Sequence, residues 1–219
     1  MLREEAIWLA SKIYSLDSNH VFPMLNIGCA SKKFREKDQP WIDEMLFKPA
    51  RNIGYSVIHT DIKNEIGVDL VGDLCNPDFL EKVSQMEIKS VMCSSLLEHV
   101  SNREEICEII SSIIPIGGYL FVTVPYKFPY HCDPIDTMFR PSVNELSRLF
   151  PDMKIHHGEI VAGDYLVKAT SITPILYALL MLIRIMLPIY QPRRWFDSVR
   201  YASWLWRENS VTCIVLEKK

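Results

Sequence analysis

The chain has 219 residues, of which 48% are hydrophobic and 23% are charged. This length suits one domain, and the apolar fraction is ample for a large core. The formal net charge of -3 excludes the strongly basic surface of a general nucleic-acid-binding protein, so we expect no nucleic-acid partner.

The first third of the chain predicts alternating helices and strands. Apolar residues recur at helical spacing over 3–16, and the run FPMLNIG predicts a short strand that ends at Gly28. PWIDEMLF (40–47) predicts a helix with a proline near its start, and YSVIHTD predicts a second strand that ends at Asp61. GVDLVGDL predicts a third extended segment, which ends at Asp73.

The alternation continues through the middle of the chain. NPDFLEKVSQM predicts a short helix, and IKSVMCSS predicts a strand that ends at Ser94 and Ser95. LEHVSNREEICEIISSII predicts a helix that Pro115 and Gly117 end, and GYLFVTVPY predicts a further strand. This order predicts an α/β fold of the Rossmann-like, doubly wound type, with a mostly parallel sheet and helices on both faces.

Four residues that suit a ligand site stand in order where these strands end: Gly28, Asp61, Asp73 and Ser94. In a parallel sheet, ligands bind outside the carboxyl ends of the strands. A glycine lets the backbone pass close to a ligand, and a carboxylate can accept hydrogen bonds from both hydroxyls of a ribose. Each residue alone is typical of an ordinary turn or cap, but the ordered set predicts a nucleoside-type ligand.

The loop GCASKK (28–33) indicates which ligand this is. It lacks the second and third glycines of the GxGxxG pattern, which let a pyrophosphate sit at a helix N-terminus. S-adenosylmethionine carries no phosphate, so the loop favours that cofactor over NAD. A dehydrogenase built on the same sheet stays an alternative, as does a binding module that keeps the fold without activity.

The motifs LNIGCAS, HTDI, GDL, SSLLEHV and IGGYLFVTVPY together resemble the class I S-adenosylmethionine-dependent methyltransferases, over roughly 20–150 and the last strand. LLEHV, a helix and then GG are similar to the group that includes the ubiquinone and menaquinone enzymes. The block VPYKFPYHCDPIDTMFRPSVNEL resembles a narrower set from bacterial surface-polysaccharide or glycolipid synthesis. The resemblance implies a seven-stranded sheet whose last strand, SVTCIVLEKK, is antiparallel.

The resemblance also implies a cofactor site made of strand-end residues. Asp61 would hold the ribose, Asp73 would lie near the adenine amine, and Ser94 would lie near the methionine part. The full predicted cofactor-binding set is Gly28, Ala30, Asp61, Asp73, Leu74 and Ser94.

The block after the fifth strand supplies candidates for catalysis. An alcohol acceptor needs a general base, and His131 could take the proton while Asp133 or Asp136 orients its ring. Arg140 could bind an anionic acceptor, such as a sugar acid or phosphate, through paired hydrogen bonds. We therefore predict O-methylation of a sugar or lipid-linked glycan, with a small-molecule or quinone-type acceptor as the alternative. The block could also be a proline-stiffened loop with ordinary turn aspartates and no catalytic role. The predicted substrate-binding residues are Tyr126, Tyr130 and Arg140.

From the sequence we predict no metal site. His156 and His157 are adjacent in a strand-like run and should point to opposite faces, and His20 and His59 belong to no cluster. His99 suits a residue at a helix start as well as it suits a cofactor contact.

The segment at about 165–207 differs from the rest of the single domain predicted over 1–219. ITPILYALLMLIRIMLPIY approaches the length of a membrane span, and the sequel QPRRWFDSVRYASWLWR combines arginines with tryptophans. A true span would leave the last strand on the wrong side of the membrane. We therefore expect a cytoplasmic protein whose helical insertion touches the inner membrane face, caps an apolar acceptor or forms a homodimer through 170–207; a buried helix in an enlarged core is the alternative.

Overall fold

The structure is a computed structural model that describes residues 1–131, 134–163 and 207–219, with a few single positions between the last two ranges. A seven-stranded sheet forms its centre, in the order β3-β2-β1-β4-β5-β7-β6. The strands are β1 Met24–Ile27, β2 Val57–Asp61, β3 Leu70–Val71, β4 Ser90–Ser94, β5 Tyr119–Lys127, β6 Met153–Ala162 and β7 Ser210–Lys218. The helices are α1 Arg3–Ile13, α2 Ser18–Val21, α3 Pro40–Ile42, α4 Lys48–Asn52, α5 Pro77–Ser84, α6 Arg103–Ile113 and α7 Val143–Ser147.

The strand pairing confirms the predicted fold class. β1 pairs in parallel with both β2 and β4, and β4 pairs in parallel with β5. β7 runs antiparallel to its two neighbours, β5 and β6. Since β1 and β4 are neighbours in space but not in sequence, the chain reverses its direction of winding between them. Their carboxyl ends therefore form the crevice where such sheets bind ligands.

Apolar layers cover both faces of the sheet. Met24 and Phe121 pack on α1 and on the helical segment 40–52, and Leu25 and Val122 pack on α5 and α6. Full burial of one such side chain stabilises the fold by roughly 1.5–3 kcal/mol. Because successive strand residues point to opposite faces and both faces are covered, all four residues of β1 are buried, including the polar Asn26.

Three predicted elements have different bounds. The third extended segment contains only the two residues of β3, so Asp73 lies in a turn beyond the strand. The helix predicted from Leu97 is divided into a 3₁₀ turn, Leu97–His99, and α6, because Val100 adopts an extended conformation. The helix predicted over 40–47 lies in a longer helical region that includes the π-helical turns Phe34–Asp38 and Asp43–Phe47.

The expectation for His156 and His157 is corrected by a β-bulge. β6 pairs Ile155 with Leu216 and His157 with the next residue of β7, Val215, so His156 is an extra residue in the ladder. Such a bulge breaks the strict alternation of faces. The rings of the two histidines are therefore in edge contact, with centroids 4.6 Å apart.

The predicted insertion at about 165–207 falls almost wholly outside the described residues. Within the part of the chain that the structure describes, no helix is long and apolar enough to cross a membrane.

Candidate active site

The register of the sheet places three of the predicted cofactor residues at one level. Ile27 of β1 pairs with Thr60 of β2 and with Cys93 of β4. The residues that follow these three are Gly28, Asp61 and Ser94. They consequently share the carboxyl edge of the sheet at the crevice between β1 and β4.

The loop after β1 needs unusual backbone angles to turn at this edge. Gly28 and Ala30 both have positive φ, +67° and +53°. A Cβ atom on Gly28 would lie 3.3 Å from Cδ1 of Leu96, which belongs to the loop after β4. Glycine therefore lets the loops after β1 and β4 approach each other closely.

Three backbone N–H groups of this loop are bonded inside the protein. Those of Cys29, Ala30 and Lys32 donate to the Thr60 carbonyl, the Asp61 carboxylate and the Ile66 carbonyl, at 3.1, 3.0 and 2.8 Å. A pyrophosphate site needs N–H groups that are free to point at the anion. These three are not free, so the loop is poorly suited to a dinucleotide.

A buried arginine holds this loop through hydrogen bonds to backbone carbonyls. The Arg35 guanidinium donates to the carbonyls of Cys29 and Ala30 at 2.9 and 2.6 Å, and to the carbonyl of Gly67 at 2.7 Å. Its side chain thus fixes the shape of the turn that carries Gly28. Sequence reasoning missed Arg35, because it stands in the charged run KKFREK, where nothing distinguishes it from a surface residue.

Each carboxylate at this edge has a backbone partner. Asp61 accepts from Ala30 N–H through Oδ2 and from Lys63 N–H through Oδ1, both at 3.0 Å. Asp73 accepts from Cys75 N–H at 2.9 Å, and Leu74 between them is buried. Ser94 differs, because its buried hydroxyl has no hydrogen-bond partner among the described residues.

The loops after β4 and β5 are joined to each other beside this crevice. The backbone N–H and the hydroxyl of Thr137 both donate to the Glu98 carbonyl, at 2.9 and 3.0 Å. Arg103 donates to the Leu97 carbonyl at 3.0 Å and to the Thr137 hydroxyl at 2.9 Å. These contacts bring the histidine of LEHV and the histidine of the PYHCDPID block together.

His131, Asp136 and Arg140 form a connected group. His131 donates its backbone N–H to the Asp136 carboxylate at 3.0 Å, and its Nδ1 lies 3.4 Å from the same oxygen. Arg140 donates both terminal nitrogens to Asp136, at 3.1 and 2.7 Å. Burial acts to raise the pKa of Asp136, but the hydrogen bonds from Arg140, His131 and Met138 outweigh it and lower the pKa to about 2. Asp136 is therefore ionised, and burial holds the pKa of His131 below its ordinary value.

Glu98 lies beside this group and is a functional candidate that sequence reasoning missed. Its side chain is completely buried, and neither carboxylate oxygen has a hydrogen-bond partner in the described part of the chain. Burial raises the pKa of Glu98 to about 7. His99 Nε2 lies 3.7 Å from Glu98 Oε1, and the rings of His99 and His131 are in edge contact at 5.0 Å between centroids. The motif LEHV contains the signal, since a glutamate next to the histidine stands directly after a strand-end loop.

The predicted substrate residues lie in different surroundings. Tyr126 is partly buried near the end of β5, and Tyr130 is 39% exposed in the loop that follows. Asp133 is outside the described residues. Arg140, which was predicted to contact an anionic acceptor, is paired with Asp136.

Comparison with known proteins identifies the architecture. No protein-family model and no curated protein sequence matches the chain. The structure resembles a solved S-adenosylmethionine-dependent methyltransferase from Anabaena variabilis, with a TM-score of 0.56 and 10% identity over 100% of this chain and 86% of that chain. It also resembles the solved MccD protein, with a TM-score of 0.54 and 11% identity over 98% and 96% of the two chains. The chain has the methyltransferase fold. Identities this low show the fold alone, and the resemblance to polysaccharide enzymes rests on the sequence block after β5.

Proposed function

We propose that the chain is an S-adenosylmethionine-dependent methyltransferase. The observation that carries this proposal is the loop after β1, in which three N–H groups are bonded to Thr60, Asp61 and Ile66. Such a loop suits a cofactor that carries a ribose but no phosphate. The methyltransferase fold of the sheet supports the same choice.

Asp61 is the residue proposed to hold the ribose. Its two oxygens accept one backbone hydrogen bond each, from Ala30 and Lys63. A carboxylate offers about four acceptor positions, so it retains capacity for both ribose hydroxyls. Gly28, Ala30 and Ser94 are proposed for the methionine part, and Asp73 and Leu74 for the adenine.

Calorimetric titration with S-adenosylhomocysteine tests this assignment in the variant Asp61→Asn. The change keeps the size of the side chain and removes its charge. Hydrogen bonds to a charged group contribute about 1.5–3 kcal/mol each, so we expect affinity to fall roughly tenfold or more. Asp17→Asn is the matched control, because Asp17 caps α2 before β1 begins and asparagine caps helices equally well. Unchanged affinity in Asp61→Asn, with an intact fold, would contradict the assignment.

For the acceptor, we propose an oxygen of a sugar or a lipid-linked glycan. When bound, S-adenosylmethionine supplies a methyl group that is already activated, so the chain must mainly align the acceptor with it. An acceptor hydroxyl must also lose its proton, and His131 with its Asp136 partner is the proposed group that activates it. Tyr126 and Tyr130 are proposed to line the acceptor site, and Arg140 to act through Asp136.

We further propose that the protein works in the cytoplasm at the inner face of a membrane, through residues 170–207. The support is compositional: a long apolar run precedes a sequel that is rich in arginine and tryptophan. A lipid-linked acceptor would be presented at such a surface. A homodimer through the same residues is the competing proposal, and the vesicle experiment described below separates the two.

A further inference from the structure

The Glu98 side chain is completely buried, and its carboxylate makes no hydrogen bond in the part of the chain that the structure describes. A buried polar atom without a hydrogen bond costs free energy, and a buried charge costs more unless it is paired. Neither Oε1 nor Oε2 of Glu98 has a hydrogen-bond partner among the described residues. The side chain therefore needs either a proton or a cation.

The two imidazoles beside Glu98 each place Nδ1 near a backbone carbonyl. His99 places Nδ1 against the carbonyl of Ile135, and His131 places Nδ1 3.3 Å from the carbonyl of Pro129 and 3.4 Å from the Asp136 carboxylate. A carbonyl cannot donate, so Nδ1 carries the hydrogen in each neutral ring and Nε2 presents its lone pair. Metal-binding histidines almost always make such a bond through the nitrogen that does not face the metal.

The separations suit one shared ion. One ligand atom from each of Glu98, His99 and His131 lies within 4.8 Å of the other two. At metal–ligand distances of ~2.1 Å, tetrahedral ligand atoms stand about 3.4 Å apart. The pair His99 Nε2 and Glu98 Oε1 is already close to this value, at 3.7 Å. The wider separations need movements on the order of 1 Å, which small χ rotations of the two partly buried imidazoles supply.

We propose that Glu98, His99 and His131 bind one divalent metal ion of the Mn²⁺ to Zn²⁺ series. Two imidazoles and one carboxylate are a donor set that these ions accept, and three protein ligands leave coordination positions open. Asp136 is then a positioning residue that fixes the ring of His131, and Arg140 balances the charge of Asp136. This replaces our sequence-based expectation that the protein has no metal site.

The site also refines the acceptor chemistry, and this part rests on the proposed methyltransferase function. An ion held by the loops after β4 and β5 would lie on the acceptor side of the cofactor crevice. Its open positions would bind oxygen donors such as the hydroxyls or the carboxylate of a sugar, and so orient the oxygen that receives the methyl group. His131 would then act as a metal ligand and not as the general base. The ion would lower the pKa of a hydroxyl bound to it, so that the proton passes to solvent water as the oxygen takes the methyl group from the sulfonium.

Direct binding to the untagged full chain tests the site without any need for turnover. The protein is freed of metal by dialysis against a chelator, and Mn²⁺ and Zn²⁺ are titrated separately by calorimetry. We expect one ion to bind per chain with at least one of the two metals. Glu98→Gln and His99→Asn should each weaken that binding roughly 100-fold or more, and Asp136→Asn by about 10–100-fold.

The matched control is the double variant His156→Asn/His157→Asn, because these rings form the other close histidine pair in the described part of the chain. It should leave the tight binding unchanged. Binding that is lost in this control, or that survives in Glu98→Gln with the fold intact, overturns the proposal. Absence of stoichiometric binding of either metal to the wild-type chain also overturns it, and indicates that Glu98 is a protonated acid.

A parallel titration with S-adenosylhomocysteine separates this proposal from the proposed function. Cofactor binding without metal binding refutes the metal site alone. Metal binding that is lost in Glu98→Gln, in a chain that does not bind S-adenosylhomocysteine, supports the site and refutes the methyltransferase assignment.

Discussion

The two sides of the crevice differ in how many of their polar groups are hydrogen-bonded within the protein. On the proposed cofactor side, internal hydrogen bonds hold the loop after β1: the Arg35 guanidinium donates to the carbonyls of Cys29, Ala30 and Gly67, and Asp61 accepts from two backbone N–H groups. On the proposed acceptor side, formed by the loops after β4 and β5, Glu98 and Arg140 contain three of the five buried side-chain atoms that lack a partner in the described part of the chain. A fourth is the hydroxyl of Ser94, at the border between the two sides.

This difference indicates what each side still needs. A loop whose polar atoms are bonded inside the protein is preorganised, so it can bind a cofactor without paying for its own ordering. A buried group without a partner is expensive in the free protein and gains most when a ligand arrives. We therefore expect the cofactor side to be a rigid frame and the acceptor side to be completed by what binds there.

The largest effect is expected on the acceptor side, from His131→Ala. In both proposed roles, base or metal ligand, His131 activates the acceptor, so its loss should lower turnover on the order of 10²–10⁴. Binding of S-adenosylhomocysteine should stay unchanged, because the cofactor frame lies on the other side. His20→Ala is the control, since His20 contacts the Gly117 carbonyl at the opposite end of β5. A loss of turnover below threefold would remove His131 from the chemistry.

Acid should lower the unfolding free energy, because a buried histidine beside β1 is neutral in the folded state. His59 of β2 accepts from the Asn26 amide at 3.0 Å, and burial lowers its pKa to about 4. In the unfolded chain its pKa is about 6.5, so the unfolded state binds a proton first. The stability is therefore complete above pH 6.5 and is lost as pH falls towards 4, by roughly 3 kcal/mol.

Denaturant unfolding of the wild type and of His59→Gln at pH 7 and pH 4 measures this contribution of His59 to the unfolding free energy. Carboxylates elsewhere affect both proteins equally and cancel in the comparison. We expect the unfolding free energy of His59→Gln to fall less between the two pH values, by roughly 3 kcal/mol. Equal falls in the two proteins would show that His59 is not held neutral.

Arg35→Lys sharpens the claim that the cofactor loop is a preorganised frame. Lysine keeps the charge but cannot reach the three carbonyls with a planar fork. We expect a loss of about 1–3 kcal/mol in unfolding free energy, together with weaker binding of S-adenosylhomocysteine. Arg148→Lys, on the exposed end of α7, is the control and should change neither quantity. If Arg35→Lys binds as tightly as the wild type, the loop does not need its arginine.

The smallest effect is expected at the proposed membrane surface. Each basic residue near an anionic surface contributes about 1 kcal/mol, so Arg193→Glu with Arg194→Glu should weaken binding to anionic vesicles more than high salt does. Lys37→Glu with Lys48→Glu makes the same charge change at exposed sites elsewhere and should have little effect. If the protein does not bind such vesicles at low salt but dimerises through 170–207, the membrane proposal is wrong and the dimer proposal is supported.

The strands and their ends were predictable because a buried parallel sheet leaves a clear mark in the sequence. Apolar runs that end at Gly28, Asp61 and Ser94 gave both the fold and the crevice edge. Arg35 was not predictable in this way, because its significance depends on burial, and burial of a charged residue leaves no local pattern. For Glu98 the motif LEHV indicated the position, but not that the carboxylate is buried. The bulge at His156 and the separate turn that holds His99 were missed for a related reason: each depends on one residue's backbone conformation.

A paired calorimetric titration of the wild-type chain with S-adenosylhomocysteine and with NAD tests the central claim most directly. The account predicts one S-adenosylhomocysteine bound per chain and no measurable binding of NAD at the same concentration, because the loop after β1 has no free N–H groups at Cys29, Ala30 and Lys32 for a pyrophosphate. Binding of NAD with equal or higher affinity would contradict it and would favour a dehydrogenase on the same sheet.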